Sequence, residues 1–173
     1  MIYMVEHGFA GTAQQEAGWN AWYSDHAMYG FRKIPGWRSG QRFVSVTGQE
    51  PKYRAMYTLD TAGVLTSPEY KATTGGRFPE EWRSVIVDFR RNLADGDWMP
   101  AVPADQHLVV IDPPASASDL TDVQVQTWKV VGLEQSIPMR AIAVVDRALG
   151  EDIARRRLAG VGVYAPVFDR WSQ

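Results

Sequence analysis

Short runs of hydrophobic residues, bounded by Gly, Pro or polar clusters, recur along the chain and predict eight β-strands. Each run is rich in Val, Ile, Tyr or Phe and is short, which is more typical of strands than of helices. The predicted strands are Ile2–Phe9, Trp37–Thr47, Tyr53–Leu59, Trp82–Asn92, His107–Asp112, Lys129–Leu133, Met139–Asp146 and Gly162–Phe168.

Between the first two strands, the sequence predicts a helix from Thr12 to about Tyr29. Thr12 and Gln15 have the spacing of a capping box, in which each side chain bonds a backbone N–H of the first turn. Large side chains then recur at three- and four-residue steps, which places them on one side of the helix. They are Trp19, Trp22, Tyr23 and His26.

Three shorter helices complete the pattern. They are predicted from Asp60 or Thr61 toward Tyr70, from Ser116 or Ser118 toward Gln126, and over Leu149–Leu158. The order β-α-β-β-α-β therefore occurs twice, and this order is the split βαβ pattern of ferredoxin-like units. We expect an α+β protein with a first unit over residues 1–93, a linker over 94–105, and a second unit over 106–173.

Composition narrows the class of protein. The net charge is −2 and there is no Cys, which argues against nucleic-acid binding and excludes disulfides and thiolate chemistry. No basic, apolar leader or membrane-length apolar segment is present, so we expect a cytoplasmic protein without membrane contact. The seven Trp, seven Tyr and six Phe are enough to line a ligand pocket as well as a core.

Several motifs in the first half resemble the EthD-like members of the dimeric α/β-barrel superfamily. These motifs are WNAWYSDH at 19–26, IPGW at 34–37, QRF at 41–43, PKY at 51–53 and SPEY at 67–70. The resemblance covers about residues 2–92. It implies that the two tandem ferredoxin-like units pack their sheets together and close an α/β barrel, within one chain or in a homodimer.

Three residues are candidates for acid/base chemistry, and the resemblance supports the first of them. His26 matches the helical His of the related family, and an imidazole beside aromatic rings can exchange a proton near pH 7. His7 lies in register with apolar residues of the first strand, where it either has a buried partner or faces a cavity. Tyr23 lies three residues before His26 and can contact it on the helix. We predict His26, His7 and Tyr23 as catalytic residues. The alternatives are a His26 that bonds a backbone carbonyl or faces water, a His7 with a buried structural partner, and a Tyr23 that only packs.

A second group of residues is predicted to bind the substrate. Charges inside strands need a partner or a wet cavity, so Arg42 and Arg54 are candidates for holding an oxyanion. Asp88 is expected either to pair with one of these arginines or to anchor the substrate. Aromatic candidates for the pocket wall are Trp19, Trp22, Tyr53 and Tyr57.

The superfamily supports several reactions, so the reaction remains open. The leading hypothesis is a cofactor-independent lyase, isomerase or dehydratase that acts on a small hydrophobic, aromatic metabolite by His acid/base catalysis. Alternatives are a cofactor-free monooxygenase of the same fold and a non-catalytic barrel that binds or sequesters a small molecule. No metal is predicted, and heme bound by a single His is a minor alternative. Expected partners are a small-molecule substrate and a second copy of the chain.

Overall fold

The computed structural model describes residues 1–73, 78–113, 115, 118, 120–121 and 123–173, apart from the side chains of His26 and Ala27. The strands are β1 (Ile2–Phe9), β2 (Trp37–Ser45), β3 (Tyr53–Leu59), β4 (Ile86–Asp95), β5 (Gln106–Ile111), β6 (Gln126–Leu133), β7 (Met139–Asp146), β8 (Val161–Pro166) and β9 (Trp171–Ser172). The helices are α1 (Ala13–Trp22), α2 (Met28–Phe31), α3 (Pro68–Ala72), α4 (Glu80–Arg83) and α5 (Arg147–Arg156).

Eight of these strands close into an antiparallel barrel. Going round the barrel, the order is β3-β1-β4-β6-β7-β5-β8-β2, and β2 pairs again with β3 to complete the circle. The short β9 extends the same sheet beside β2. The predicted fold class, two tandem ferredoxin-like units forming an α/β barrel, is confirmed. Within the described residues, no helix is long and apolar enough to span a bilayer.

Three hydrophobic clusters separate the inside of the barrel from its two helix-covered faces. The interior takes side chains from strands of both halves, among them Met4, Phe43 and Leu108. The first outer cluster packs α1 and α2 onto β1–β4, and Trp19, Tyr57 and other aromatic side chains fill it. The second outer cluster packs α5 onto β5, β7 and β8 with aliphatic side chains. Because strand residues alternate between the two faces, neighbours in sequence belong to different clusters.

The long predicted helix is interrupted. Its capping box is present, since Thr12 accepts from the Gln15 backbone N–H and Gln15 accepts from that of Thr12. After α1, however, the backbone forms a π-helical turn over Tyr23–Ala27 before α2 begins. In this π turn the Met28 N–H bonds to the Tyr23 carbonyl, five residues back. The turn therefore rotates α2 relative to the face that regular spacing predicts.

Other differences from the prediction are local. The helix expected over 60–70 is divided into a 3₁₀ turn (Ala62–Thr66) and α3, because Pro68 fits only the first turn of a helix. The expected fourth strand begins later, at Ile86, behind α4. Much of the helix predicted from Ser116 or Ser118 lies outside the described residues. The segment after β4 packs against the barrel through buried Met99 and Val102. The division into two units at 94–105 stays a prediction, as does a cytoplasmic location.

Candidate active site

A single arginine lies at the centre of the first outer cluster. Arg42 is on β2, between Gln41 and Phe43, which point to the barrel interior. Its own side chain therefore points outward, toward α1. The guanidinium carbon lies 4.5 Å from the ring centroid of Tyr23 and 4.5 Å from that of Tyr53.

Arg42 is completely buried and yet unpaired. Its relative exposure is 0%, and none of its three side-chain nitrogens has a hydrogen-bond partner among the described residues. Burial lowers the pKa of the Arg42 guanidinium, although the surrounding tyrosines oppose that effect. A buried charge without a hydrogen-bonding partner is costly and therefore rare in folded proteins. The faces of the surrounding aromatic rings replace only part of the stabilisation that water gives to a guanidinium ion. Among the described residues, Arg42 is thus a cation without a directly bonded counterion, although the Glu16 carboxylate acts on it electrostatically.

The solvent side of this site is formed by Tyr53. Its hydroxyl donates to Glu16 Oε1 at 2.6 Å and accepts from Asn20 Nδ2 at 3.0 Å. Glu16 also pairs with Lys52 at 2.5 Å, near the surface. Burial and the bond to Glu16 raise the pKa of Tyr53. Burial alone would raise the pKa of Glu16, but Lys52 and Tyr53 hold it below its ordinary value. The result is a polar connection from the aromatic cluster to solvent.

The opposite side is formed by a pair of buried tyrosines. Tyr23 and Tyr57 hydroxyls lie 3.0 Å apart, and Tyr57 donates to the Met28 sulfur at 3.1 Å. Burial raises the pKa of Tyr23 and raises that of Tyr57 more strongly, so both stay protonated at neutral pH. Both hydroxyls are therefore available as hydrogen-bond donors or acceptors, not as anions.

Aromatic rings and His7 form the rest of the cluster around Arg42. Trp19 is fully buried and stacks on Trp22, with ring centroids 5.2 Å apart. His7 packs edge-on against Trp19 at 5.3 Å and beside Tyr53 at 5.3 Å. The structure thus brings together His7, Tyr23, Trp19, Trp22, Arg42, Tyr53 and Tyr57 from the predicted set. Their roles remain predictions.

His7 is held in its neutral form. Its Nδ1 lies 3.0 Å from the Gly8 carbonyl oxygen, so Nδ1 carries the proton and Nε2 keeps its lone pair. Burial lowers the pKa of His7 to about 4, and the nearby Arg42 charge acts in the same direction, against the bond to Gly8. At pH 7 His7 is a weak base, better suited to accept a hydrogen bond than to remove a proton.

His26 belongs to the π turn, and its side chain lies outside the described part of the structure. The backbone places it one turn after Trp22 and next to Asp25. The prediction that His26 is the main acid/base residue stays a prediction.

Two predicted residues are not part of this cluster. Arg54 points into the barrel, where it pairs with Glu6, because it alternates with Tyr53 on β3. Asp88 is exposed on β4 and pairs with neither Arg42 nor Arg54 among the described ion pairs, so the expected Asp88–arginine ion pair is wrong. The reason is a β-bulge opposite His7, where Asp88 adopts φ 51° and turns away.

Inside the barrel, Arg54 belongs to a second charged group. Glu6 pairs with both Arg54 and Arg140, the latter at 2.6 Å. Asp112 accepts two bonds from Arg140, at 2.7 and 2.8 Å. Burial would raise the pKa of Asp112, but Arg140 and Arg54 hold it below its ordinary value. These four side chains, which we call the barrel tetrad, form ion pairs with each other, so neither arginine lacks an ion pair as Arg42 does, although Arg54 Nε has no hydrogen-bond partner among the described residues.

Sequence reasoning missed three residues of the site. Glu16 and Asn20 lie four residues apart on α1 beside Trp19, a spacing that could have identified them as polar groups on the aromatic side. Met28 could not have been identified, because the π turn sets its direction. Among the described residues, no three His, Asp or Glu side chains are grouped as a metal site requires.

Comparison with known proteins identifies the fold. No protein-family model and no curated protein sequence matches the chain. A solved structure from Lactobacillus acidophilus, provisionally named a monooxygenase, has a TM-score of 0.58 at 8% identity and covers 97% of this chain and 94% of its own. An anthrone oxidase-like protein has a TM-score of 0.59 at 11% identity, with 99% and 92% covered.

A third solved structure, provisionally named a chlorite dismutase, has a TM-score of 0.52 at 9% identity and covers 96% of this chain and 95% of its own. All three neighbours have the dimeric α/β-barrel fold. Identities this low show the fold alone, and EthD-like membership stays a prediction. The chain shares the α/β-barrel fold of these neighbours and closes its barrel within a single polypeptide.

Proposed function

We propose that the chain is a cofactor-free monooxygenase that oxidises a small aromatic substrate held as its phenolate or enolate beside Arg42. The observation that supports this proposal is the buried, unpaired guanidinium of Arg42, ringed by Tyr23, Tyr53 and Trp19. A substrate oxyanion would supply the missing partner, and the aromatic rings would contact the substrate's carbon skeleton.

The energetics favour binding of an anion at this position. Desolvating a charge costs several kcal/mol, and this cost has already been met when the chain folds. A guanidinium in a dry site stabilises a developing oxyanion far more than it would in water. The stabilisation grows as the substrate loses its proton, which is the differential binding that accelerates a reaction.

The chemistry needs no cofactor, because the substrate anion itself supplies the electrons. A methylene carbon conjugated to the substrate carbonyl loses a proton, which gives a single anion with its charge shared between the oxygen and that carbon. This anion transfers electrons to dioxygen and forms a C–O bond at the carbon, and the proton returns to the resulting peroxide. The hydroperoxide then loses water, so that one methylene group and one dioxygen molecule give one carbonyl group and one water molecule. The hydrogen-bonded Tyr53 and Glu16 offer the proton a route to solvent.

Two of the three structural neighbours support this choice by name, since one is provisionally a monooxygenase and another is anthrone oxidase-like. The lyase, isomerase or dehydratase hypothesis relies on a histidine base. His7 has a pKa of about 4, which makes it a weak base at neutral pH. That hypothesis therefore depends on His26.

Oxygen uptake during turnover tests the proposal, with anthrone as the first substrate. We expect the wild type to consume one dioxygen molecule per anthrone oxidised. Arg42→Met should lower kcat/KM about 100-fold or more, since it removes the oxyanion partner. Arg38→Met is the matched control, because Arg38 lies on the same strand but is exposed and paired with Asp60.

The stability of Arg42→Met distinguishes a catalytic role of Arg42 from a structural one. Replacing an unpaired buried charge by an apolar side chain of similar length should raise the free energy of unfolding by about 1–3 kcal/mol. Urea unfolding measures it. A large loss of stability in Arg42→Met would identify Arg42 as structural, and anthrone conversion without oxygen uptake would favour the lyase class.

A further inference from the structure

A cavity of about 500 Å³ opens beside the candidate active site, between the π turn and the C-terminal segment Val167–Gln173. Ligand pockets for small molecules commonly have this size. Met28 and Trp171 are its largely buried walls, while Asp25, Arg32 and Asp169 are exposed at its edge.

Met28 connects this cavity to the aromatic cluster. One side of Met28 lines the cavity, and its sulfur accepts the hydrogen bond of the Tyr57 hydroxyl at 3.1 Å. Tyr57 is bonded to Tyr23, whose ring lies against Arg42. The methionine side chain is flexible, and its bond to a hydroxyl is weak, so a ligand that enters the cavity can displace it.

Trp171 is held at the cavity by a glycine. A Cβ on Gly40 would lie 2.7 Å from the Tyr57 ring and 2.9 Å from Trp171 Nε1. Only glycine allows the two rings to approach β2 together at this point. The indole nitrogen of Trp171 has no hydrogen-bond partner among the described residues. The fold therefore places an aromatic wall where the cavity meets the cluster, with the indole nitrogen buried on the side that faces Gly40.

The charges at the edge define the chemistry of a ligand. Asp25 and Asp169 are acceptors, and neither forms an ion pair with Arg32 among the described residues. The Arg32 guanidinium lies 5.7 Å from the Trp171 ring. Two acceptors and one cation around an aromatic wall fit a flat aromatic molecule that carries hydroxyl donors and a carbonyl acceptor.

We infer that this cavity binds the outer, hydroxylated ring of a flat aromatic molecule, packed against Trp171 and donating its hydroxyl hydrogens to Asp25 and Asp169. That this molecule is the substrate rests on the function proposed above. Binding itself does not, because Asp25, Arg32 and Asp169 at the cavity edge lie outside the Arg42 cluster.

Equilibrium binding of a product-like probe tests the inference. The probe is 2,3-dihydroxyanthraquinone, which carries both hydroxyls on one outer ring and cannot be oxidised at its ring carbonyls, and the comparison compound is 2,3-dimethoxyanthraquinone, which has no hydroxyl donors. Titrations are followed by probe absorbance at a pH where the hydroxyls stay protonated. We expect the dihydroxy compound to bind wild type about tenfold more tightly than the dimethoxy compound.

Exposed acidic residues provide matched variants. Asp25→Ala with Asp169→Ala should remove the tenfold preference, whereas Asp97→Ala with Asp105→Ala, two exposed acids outside the cavity, should keep it. Because all four side chains are exposed, these changes should leave the fold intact, which circular dichroism checks. Equal affinity for both compounds in wild type, no binding of either, or a preference that survives in the cavity variant would each overturn the inference.

Failure of this inference and failure of the proposed function give different results. Arg42-dependent oxygen uptake with unaltered probe binding in the cavity variant overturns the inference and leaves the function in place. A preference that depends on Asp25 and Asp169 without any oxygen uptake supports the cavity as a binding site and removes the monooxygenase proposal.

Discussion

At the scale of single residues, burial disfavours the charged forms of both Arg42 and His7, but only His7 loses its charge as a result. Arg42 has an ordinary pKa so high that it stays charged even when burial lowers that pKa. His7 has an ordinary pKa near neutrality, so burial leaves it neutral. The first group can hold an anion, and the second can only accept a hydrogen bond through Nε2.

The neutral state of His7 makes stability depend on pH. Its pKa falls from 6.5 in the unfolded chain to about 4 in the folded one, so below pH 6.5 the unfolded chain binds a proton that the folded chain refuses. The contribution of His7 to the free energy of unfolding should therefore be complete above pH 6.5. The free energy of unfolding should decrease by about 3 kcal/mol as the pH falls toward 4. Urea unfolding at about pH 7 and about pH 4.5 measures this slope.

His7→Phe keeps an aromatic ring in the aromatic cluster and removes the titrating group. The free energy of unfolding of this variant should therefore change much less between about pH 7 and about pH 4.5 than that of the wild type. His107→Phe is the comparison, since His107 also has a lowered pKa from burial but lies in the other half. An unchanged slope in His7→Phe would mean that other groups control acid stability.

At the scale of elements, the π turn decides which side chains reach the cavity. Regular spacing from Trp19 predicts a single helical face that continues to His26. The extra residue in the π turn rotates Met28 and Phe31 back onto the barrel, where both are buried. Extra residues of this kind inside helices recur at functional sites because they aim side chains that a regular helix would direct elsewhere.

Deleting one residue of the π turn should convert it to a regular helix. Without Ser24, every following residue of the helix turns by about 100°. Met28 then loses its contact with Tyr57, and probe binding in the cavity should drop at least about tenfold while far-ultraviolet circular dichroism keeps its helical signal. Ser24→Ala, which keeps the turn length, is the control. Full binding after the deletion would show that the turn has no role in shaping the cavity.

The sequence predicted elements better than it predicted their faces. The bounds of β1 and β3 agree with the prediction because their hydrophobic runs are bounded by turn residues. The alternation of Tyr53 and Arg54 was visible, but only tertiary pairing decides which of them faces α1. The bulge that turns Asp88 outward depends on the register with β1, which no local pattern contains. The π turn likewise has no signal in the periodicity.

At the scale of the whole molecule, the barrel tetrad joins the two halves through their common interior. Glu6 and Arg54 come from the first half, and Asp112 and Arg140 from the second. The exposures of the Arg54, Arg140 and Glu6 side chains are only 1–5%. Removing one member would leave an uncompensated buried charge, so the halves depend on each other electrostatically.

A double-mutant cycle between the halves measures this dependence. Glu6→Ala and Arg140→Ala should each cost about 3–5 kcal/mol of unfolding free energy. Their coupling energy should exceed about 1 kcal/mol, because both charges are desolvated. The exposed Arg38–Asp60 pair, at 50% and 43% exposure, should couple by less than about 1 kcal/mol. A Glu6–Arg140 coupling as small as that of the surface pair would contradict the joining role of the tetrad.

Because the barrel closes within one chain, its two halves can have different sequences and different side chains. A barrel assembled from two identical subunits carries every polar group twice, together with its cost in stability. Here the face under α1 holds Arg42 and the tyrosines, whereas the face under α5 is filled by Val109, Ile111, Ile153 and other aliphatic side chains. One half can thus act as a stabilising partner for the other, and further polar changes around Arg42 can accumulate without a second copy weakening the molecule.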